Sequence, residues 1–501
     1  MADESGLSPY VFSCEGGLVL DQSTFSMQPG MALELQNFEP DIRGGYRRIS
    51  GYEKWNSNVV PYTASSTEKV LMSAYFKGNI LAARGESIYK GGTAGSWTSI
   101  DSGRTSAGKY TFFRYNLAGT DYIVWADGAN NASKYDNTTV TDLNATGAPA
   151  NPKYVTGFKN ALFFAGMSST PEELVFTAPY TDNDFSVANG AGSIAVDSPI
   201  TGLFPFRDQL YIFCEERIFK LVGNTSADFV LQPVTREIGC INGSTIQEFA
   251  GDIVFLGPDG LRTVAGTERI DDVELGTISR AIQRRFSDLS DVDEFDSVVI
   301  PNKTQYRLFF SNSNVTRGNT TGVICVRKGD SYEFADLRGI RPSCTDFVVS
   351  DGESIVVHGE YDGYVYRQEQ GNDFDGNVIT GKYRSPDLSM GDAGIRKTFQ
   401  RVIINYAPEA SVNADLFVRY DYEAPNVARP AAYPFDTATV VAVYGTSSYG
   451  TATYGGQSNP LFRQPIEGSG FAVALRVNDR GTSAPYSLKG FQLEFDAGAR
   501  R

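Results

Sequence analysis

A short unit of apolar strands separated by turns recurs between residues 70 and 367, and this repeat constrains the fold more than any other feature. In the first unit, the strand-like run 72–76 is followed by a turn and a second apolar run, 79–83. Seven such units occur, at 70–90, 109–135, 154–176, 202–222, 244–264, 297–334 and 345–367. A small antiparallel sheet cannot bury both of its faces alone, and radial packing of repeated sheets supplies the missing partner. The repeat predicts a β-propeller, with an array of β-sandwiches as the alternative.

The composition supports an all-β fold and narrows the classes of partner. Aromatic residues make up 12% of the chain, with 51 glycines and only 6 methionines, which favours short strands and tight turns. The 44 basic and 59 acidic residues give a net charge of -15, which argues against a protein that coats duplex DNA or an anionic membrane. No run approaches the roughly 18 apolar residues of a membrane span, and the acidic N-terminus does not resemble a secretion signal. The five scattered cysteines lack a C-x-x-C pair and are expected to be reduced, mostly buried thiols.

The hydrophobic pattern changes after residue 371. Longer alternating runs at 399–406, 414–422, 472–477 and 486–495 predict a separate, β-sandwich-like domain. We therefore divide the chain into three parts. Residues 1–66 form an N-terminal segment that leads into the propeller and is able to contribute closing strands, residues 67–371 form the β-propeller, and residues 372–501 form a C-terminal β-rich domain.

One helix is expected within the propeller region. Apolar residues recur at helical spacing over 278–286, and Thr277 precedes them as a candidate cap. Arg280, Arg284 and Arg285 fall outside the apolar face. For these arginines a solvated helix face is favoured over a phosphate contact.

The sequence shows little catalytic chemistry. The single histidine, His358, lies in an apolar strand and cannot supply paired imidazoles for zinc, so a buried structural role is favoured. Phosphate-binding loops, dinucleotide fingerprints and the G-x-S-x-G elbow are all absent from the sequence. Residues 99–105 match most of the Asp-box turn of sialidases, with Asp101 at the acidic position, but Ser106 replaces the closing Trp. We expect no enzymatic activity, no catalytic or metal-binding residues and no cofactor.

Three groups of residues are candidates for contacts with other subunits or partners. A basic turn surrounds Gly44-Gly45-Tyr46 in an otherwise acidic chain, and local salt bridges are its favoured interpretation over a DNA contact. Tyrosines recur at a spacing of five in a segment rich in Ser, Thr and Gly, where they could pack on a neighbour. The chain ends in two arginines. The candidates are Arg43, Arg47, Arg48, Tyr444, Tyr449, Tyr454, Arg500 and Arg501.

Several short motifs resemble those of one protein family. The opening runs 17–21, 27–38 and 41–52 are similar to the start of tail nozzle proteins of short-tailed bacteriophages. Further similarities are Asp259-Gly-Leu-Arg-Thr263 ahead of the predicted helix, Tyr361-Asp-Gly-Tyr-Val-Tyr366, and the ending 490–495 with 498–501. Each motif is short, but together they span nearly the whole chain.

The resemblance implies a structural protein of the virion tail, made in the host cytoplasm. It implies a homo-hexameric ring whose central channel retains the packaged genome and conducts it during ejection, with the C-terminal domain as a platform for ring assembly and docking. The implied partners are a tail adaptor or tail-tube protein, tail fibres, and genomic DNA that passes without sequence-specific binding. A negatively charged channel fits this task, because basic residues would trap DNA. The alternatives are a tail-tip propeller that binds a host receptor or carbohydrate, and a polysaccharide-degrading glycosidase.

Overall fold

A computed structural model of the chain describes residues 8–62, 68–106, 108–265, 277–287, 289, 292, 294–311, 321–409, 411–427, 429–437 and 460–498. The N-terminal segment forms five short strands. They are β1 (Ser8–Ser13), β2 (Glu34–Gln36), β3 (Phe38–Pro40), β4 (Tyr46–Arg48) and β5 (Tyr52–Lys54).

Five small antiparallel sheets follow one another along the chain, and each consists of consecutive strands. Blade 1 contains β6 (Met72–Phe76), β7 (Asn79–Arg84), β8 (Ser87–Gly91) and β9 (Thr98–Ser102). Blade 2 contains β10 (Thr111–Leu117), β11 (Thr120–Ala126), β12 (Ser133–Tyr135) and β13 (Val140–Asp142). Blade 3 contains β14 (Tyr154–Phe158), β15 (Ala161–Ala165), β16 (Glu173–Phe176) and β17 (Gly192–Ala195). Blade 4 contains β18 (Ile200–Phe206), β19 (Gln209–Cys214), β20 (Ile218–Val222) and β21 (Val230–Thr235), and blade 5 contains β22 (Gln247–Phe249), β23 (Asp252–Gly257) and β24 (Gly260–Thr263).

The remaining strands complete the ring and build the C-terminal region. They are β25 (Glu294–Ile300), β26 (Gln305–Ser311), β27 (Thr321–Lys328), β28 (Ser331–Leu337), β29 (Pro342–Ser350), β30 (Glu353–Glu360), β31 (Val365–Gln368), β32 (Lys382–Arg384), β33 (Lys397–Pro408), β34 (Val412–Tyr420), β35 (Tyr433–Thr437), β36 (Leu461–Pro465), β37 (Ser469–Gly470), β38 (Val473–Asp479) and β39 (Tyr486–Ala497). Short 3₁₀ helices lie at Val187–Asn189, Gly243–Thr245, Arg280–Arg285, Pro301–Lys303 and Asp421–Glu423.

The small sheets are the blades of a β-propeller, as the sequence repeat predicted. β29, β30 and β31 form the sixth small sheet together with β5. The four antiparallel strands β25–β28, which begin a nine-stranded sheet, lie between blade 5 and this sixth sheet, because β25 contacts both β22 and β29. β29 in turn contacts β6, which closes the ring. The array of sandwiches considered as an alternative is not the architecture of this region.

The second strand of each blade explains why the repeat is readable in the sequence. In β15, Leu162 and Phe164 pack against residues of blade 2, whereas Phe163 and Ala165 pack against blade 4. The same division holds for β7, β11, β19 and β23. A strand that is buried on both faces has no polar face, so it appears as an uninterrupted apolar run. Because each sheet packs between two others, its second strand is an uninterrupted apolar run in the sequence.

Strand β5 closes the ring from the N-terminal side. It pairs antiparallel with β31, with Tyr52 opposite Gln368 and Lys54 opposite Tyr366. The sixth sheet therefore combines the last strands of the propeller with a strand that precedes blade 1. This pairing ties the last sheet of the propeller to the chain segment that leads into its first blade, so the ring of blades is closed by backbone hydrogen bonds.

The C-terminal region is the predicted β-sandwich. One layer continues the nine-stranded sheet in the order β28-β2-β32-β38-β34-β35. The other layer has the order β3-β4-β39-β33-β36, with β1 beside β39. Alternate residues of β33, β34, β38 and β39 are buried in one hydrophobic core between the layers. The propeller and the sandwich thus share a continuous sheet, and the N-terminal strands belong to both layers.

The helix predicted over 278–286 is wrong in type and in its cap. The segment contains a 3₁₀ helix, Arg280–Arg285, preceded by Ser279, and Ile282 has a non-helical φ of -128°. Thr277 donates its hydroxyl to the Asp259 carboxylate at 2.9 Å instead of capping. Ile282 and Phe286 are buried as predicted, but Arg285 is held by Asp336. Because this segment packs on the turn at Asp259, it forms a 3₁₀ helix and not the regular α-helix that the spacing predicted.

All five cysteines are buried free thiols, as predicted. Burial raises the pKa of Cys240 and of Cys344 to about 11. The thiols are therefore neutral at physiological pH and poor nucleophiles. No helix in the described ranges is both long and apolar enough to cross a membrane.

Candidate functional site: the Glu39 ion network and the propeller axis

The predicted basic turn connects β3 and β4, and its three arginines have different environments. Gly44 and Gly45 both have φ of +86°, a conformation that glycine adopts without strain. The Arg43 side chain is 85% exposed and lies 3.8 Å from Asp41. Arg47 binds both carboxylate oxygens of Glu409, at 2.7 and 3.0 Å. The turn therefore presents one exposed cation, Arg43, which is loosely paired with Asp41, beside Arg47, which is bound to Glu409.

Arg48 is the most enclosed of the three. Its guanidinium lies 3.3 Å from Asp479 and donates to the carbonyl oxygens of Gly481, at 2.7 Å, and of Ser483. Burial raises the pKa of Asp479, and attraction to Arg48 opposes that rise. Arg48 therefore anchors the N-terminal segment to the loop between β38 and β39.

A larger ion network surrounds Glu39, which is buried on β3. Its carboxylate accepts bonds from Lys303 at 2.7 Å and Gln305 at 3.0 Å, and pairs with Arg47 and Arg307 at 3.3 Å. Arg307 also pairs with Glu369 at 2.5 Å and bonds Gln368 at 3.1 Å. These residues belong to β3, β4, the 3₁₀ helix Pro301–Lys303, β26, β31 and the segment after β31. The network therefore joins the N-terminal segment to the β25–β28 strands and to the sixth sheet of the propeller.

One carboxylate of the network, that of Glu369, has a lowered pKa. Burial by itself would raise the pKa of Glu369, but attraction and hydrogen bonds from Arg307 and Lys303 outweigh it and lower the pKa to about 2. A polar cleft of about 310 Å³ opens beside the network and is lined by Glu39, Arg43, Arg47, Lys303 and Glu409 among others. Since Arg47 and Lys303 are already paired with acids, the cleft is balanced in charge and does not form a strong anion site.

His358 lies next to the Glu39 network, because it contacts Gln368, which also bonds Arg307. It is fully buried, with one ring nitrogen 3.3 Å from Glu360 and the other 3.2 Å from Gln368. Its ring stacks on Tyr366 and meets Tyr52 edge-on. The histidine is therefore a structural residue with partners on both nitrogens, as its position in the apolar strand indicated.

Charged pairs cross the propeller axis. The first strands of the sheets make the contacts between neighbouring blades and so surround the axis. Arg114 on β10 pairs with Asp346 on β29, although blade 1 lies between their sheets. Lys109, just before β10, lies 2.6 Å from Asp296 on β25, which is farther around the ring. These pairs span the interior, and both carboxylates are buried.

The other part of the axis is apolar. A cleft of about 300 Å³ there is lined largely by first-strand residues, including Phe112, Tyr154, Leu203, Phe204 and Ile246. Burial raises the pKa of Asp346, and attraction to Arg114 opposes that rise. Ion pairs therefore lie on one side of the propeller interior, and a cleft lined by aromatic rings lies on the other.

A chain of cationic turns around one rim was not recognised in the sequence. Lys77, Lys159 and Arg207 each occupy a tight turn between the first and second strands of a blade, with φ near +45°. Each reaches the corresponding region of the next blade, at Asp121 (3.9 Å), Asp208 (3.2 Å) and the Gly251 carbonyl (2.5 Å) respectively. The recurring Phe-Lys or Phe-Arg pair before each turn was the available signal.

The Asp-box match is part of the propeller, whereas five of the predicted interface residues lie outside the described residues. Asp101 of the Asp-box match lies on β9, and its carboxylate accepts a 2.9 Å bond from Arg104, which also pairs with Asp127 of blade 2 at 3.1 Å. The match is therefore part of an ion cluster between two blades. Tyr444, Tyr449, Tyr454, Arg500 and Arg501 lie outside the described residues. Within the described part of the chain, no cluster of three or more His, Cys, Asp or Glu side chains is arranged to hold a metal ion.

Comparisons with known proteins give distant similarity in fold. No family model matches the sequence, and no curated protein matches it. The extracellular domain of a protein described as a one component system from B. thetaiotaomicron is 9% identical with a TM-score of 0.42, covering 64% of this chain and 40% of that one. The AfRom2 CNH domain is 10% identical with a TM-score of 0.38, covering 62% and 99%. An ancestral GH74 enzyme is 10% identical with a TM-score of 0.38, covering 65% and 52%. This chain thus spans less than half of the first of these proteins, and none of the three similarities bears on its activity.

Proposed function

We propose that this chain is a structural subunit of a virion tail nozzle, a ring whose central channel retains and conducts the genome. The observation that carries the proposal is the nine-stranded sheet, in which the parallel pair Gln36–Asp336 links β28 of the propeller to β2 and the C-terminal sandwich, beside a hydrophobic core that both regions share. A shared sheet resists relative motion of the two regions, because any hinge between them would break backbone hydrogen bonds. Such a body suits a wall that bears the pressure of packaged DNA.

The contacts at the propeller axis indicate where the channel would lie. Because Arg114–Asp346 and Lys109–Asp296 cross the interior of each propeller, we infer that DNA passes between subunits, along the axis of the ring. The net charge of -15 per chain fits this arrangement, since acidic walls repel the DNA backbone and let it slide. A tail adaptor or tail-tube ring remains the proposed docking partner of the C-terminal domain.

Ring formation is the test of this proposal. The purified full chain should form a closed ring with a central hole in negative-stain images, and light scattering after size exclusion should give about six times the monomer mass of 54.6 kDa. Rings that form only when isolated tail particles are added would also support it. A chain that remains monomeric at every concentration, and with tail particles present, would refute it.

Arg43 offers a sharper version of this test, because it is exposed and was predicted to lie at an interface. Arg43→Glu should weaken ring assembly, most strongly at low salt, where charge contacts between subunits are least screened. Arg284→Glu is a matched control, since that arginine is also exposed, at 72%, with only a 3.7 Å contact to Asp21. Equal assembly of both variants would remove Arg43 from the proposed interface while leaving the ring itself to the imaging experiment.

A further inference from the structure

A groove of about 280 Å³ separates blades 2 and 3 on the face where the inner strands end. Its walls come from the end of β10, the turn between β14 and β15, and the loop after β16. The aromatic residues Phe113, Tyr115, Phe158 and Tyr180 line it, together with the amide side chains of Asn116 and Asn160. Its size is near the lower end of pockets that take small molecules, roughly 300 to 1,000 Å³.

The loop that forms the outer wall is unusually long. It spans residues 177–191, whereas the corresponding loops of blades 1, 2 and 4 span 92–97, 136–139 and 223–229. Loops longer than about 12 residues in compact domains commonly carry function. This loop is also well tied down, because Asp182 accepts bonds from Tyr115 at 2.9 Å and Lys134 at 2.6 Å, both from blade 2. The loop therefore bridges two blades and fixes the shape of the groove.

Tyr180 is the feature of this loop that points to a ligand. Tyr180 is a large aromatic residue, yet it is 72% exposed. Its backbone has φ of +60°, a conformation that costs energy for any residue with a Cβ. Two hydrogen bonds hold it there, from its N–H to the Asn160 carbonyl at 2.8 Å and from Asn160 Nδ2 to its hydroxyl at 3.2 Å. These two bonds place an aromatic ring at the edge of the groove.

The floor of the groove is formed by an aromatic ring that packs on a glycine. Gly157 lies opposite Phe113, and an added Cβ at that glycine would overlap the Phe113 ring. The ring therefore lies directly against the backbone of β14. Aromatic surfaces on the floor and at the rim suit a ligand with flat apolar faces.

Lys159 is the one charged side chain among the residues that line the groove, and it is part of an ion pair. Lys159 is balanced by Asp208, 3.2 Å away, and the Asp208 carboxylate is 92% exposed, which would repel an anionic ligand. Among the described residues, nothing donates to Asn160 Oδ1, so it is an available acceptor beside the Tyr180 hydroxyl. A ligand that combines hydroxyl groups with apolar ring faces satisfies both the aromatic and the amide groups.

We propose that this groove binds a neutral saccharide, with Tyr180 as the stacking platform and Asn160 as the hydrogen-bonding group. The proposal goes beyond the structural role, because it gives one face of the propeller a binding activity of its own. It does not depend on ring formation, and a chain that never forms rings would still bind the sugar.

The test is saturation-transfer NMR on the full chain with defined probes. The neutral probes are maltotriose, cellotriose and N,N′-diacetylchitobiose, and trigalacturonic acid is the acidic counterpart. At about 10 mM probe, even a site with a Kd near 1 mM is mostly occupied. We expect at least one neutral probe to bind, and the acidic probe to bind at least tenfold more weakly or not at all.

Two matched variants locate the site. Tyr180→Gly removes the ring but suits the positive φ, so it should fold while lowering affinity tenfold or more. Tyr422→Gly is the control, because Tyr422 is also exposed, at 50%, with φ of +59°, but lies in the C-terminal region. The proposal is overturned if no neutral probe binds, if only the acidic probe binds, or if folded Tyr180→Gly binds as tightly as Tyr422→Gly.

Discussion

Removal of Arg307 is the most direct test of whether the Glu39 network joins the N-terminal segment to the propeller. The Arg307 side chain is only 1% exposed and contacts Glu39, Glu369, Gln305 and Gln368. Arg307→Ala would leave the buried Glu39 and the half-buried Glu369 with Lys303 and Arg47 as their remaining cations. Removing one partner of a buried ion pair costs about 3 to 5 kcal/mol, because the other charge is left without compensation.

This cost converts into a measurable shift in melting temperature. The entropy of unfolding is about 2 cal/mol/K per residue, or about 1 kcal/mol/K for cooperative unfolding of 501 residues. Arg307→Ala should therefore lower the midpoint of thermal unfolding by about 3 to 5 °C in differential scanning fluorimetry. The control is Arg401→Ala, whose arginine is 45% exposed in a 3.0 Å pair with Glu494. A surface pair of this kind is worth under about 1 kcal/mol, so its shift should be below about 1 °C.

A neutralised variant separates lost charge balance from lost packing. Arg307→Met combined with Glu369→Gln keeps similar volumes, removes one charge of each sign and leaves Glu39 with Lys303 and Arg47, so it should recover most of the lost stability. The reasoning is refuted if Arg307→Ala melts within about 1 °C of Arg401→Ala. It is also refuted if the double variant is less stable than Arg307→Ala alone.

Two further predictions concern the pH dependence and the packing between blades. Because the pKa of Glu369 is lowered from 4.5 to about 2, its contribution to stability is complete above about pH 5 and is lost as the pH falls toward 2. The difference in melting temperature between the wild type and Glu369→Gln should therefore shrink across that interval, and a constant difference would contradict the assignment. Phe164 is fully buried between blades 2 and 3, so Phe164→Ala should cost about 3 to 5 kcal/mol by leaving a cavity. Val230→Ala, at a 52% exposed position on β21, should change stability by less than about 0.5 kcal/mol in the same denaturation assay, and equal losses would argue against wedge packing.

The propeller could be predicted from the sequence because its signal is local. Runs such as 161–165 and 210–214 are apolar throughout, and this pattern reflects burial on both faces within a few residues of chain. Strand pairings across the chain carry no such local signal. β2 pairs with β28 and β5 pairs with β31, and nothing in three-residue strands identifies a partner so far away in sequence.

The candidate sites were harder to predict for the same reason. Glu39 sits in the apolar-looking run Phe38-Glu39-Pro40, and its partners Lys303, Arg307 and Glu369 are hundreds of residues away. The helix prediction over 278–286 relied on spacing in a segment too short to fold independently of its contacts. Tyr180 had no periodic signal, because its exposure follows from the loop that carries it.

The pairing of β5 with β31 also has a consequence for synthesis of the chain. Lys54 leaves the ribosome roughly 310 residues before its partner Tyr366, which at about 5 to 20 residues per second is a delay of about 15 to 60 s. During this time the edge of β5 is open, and nascent chains on one messenger could pair with each other instead. A cell that makes many copies at once would need chaperones or widely spaced ribosomes. Either would keep the β5 strands of different chains apart until each pairs with its own β31 and closes the propeller.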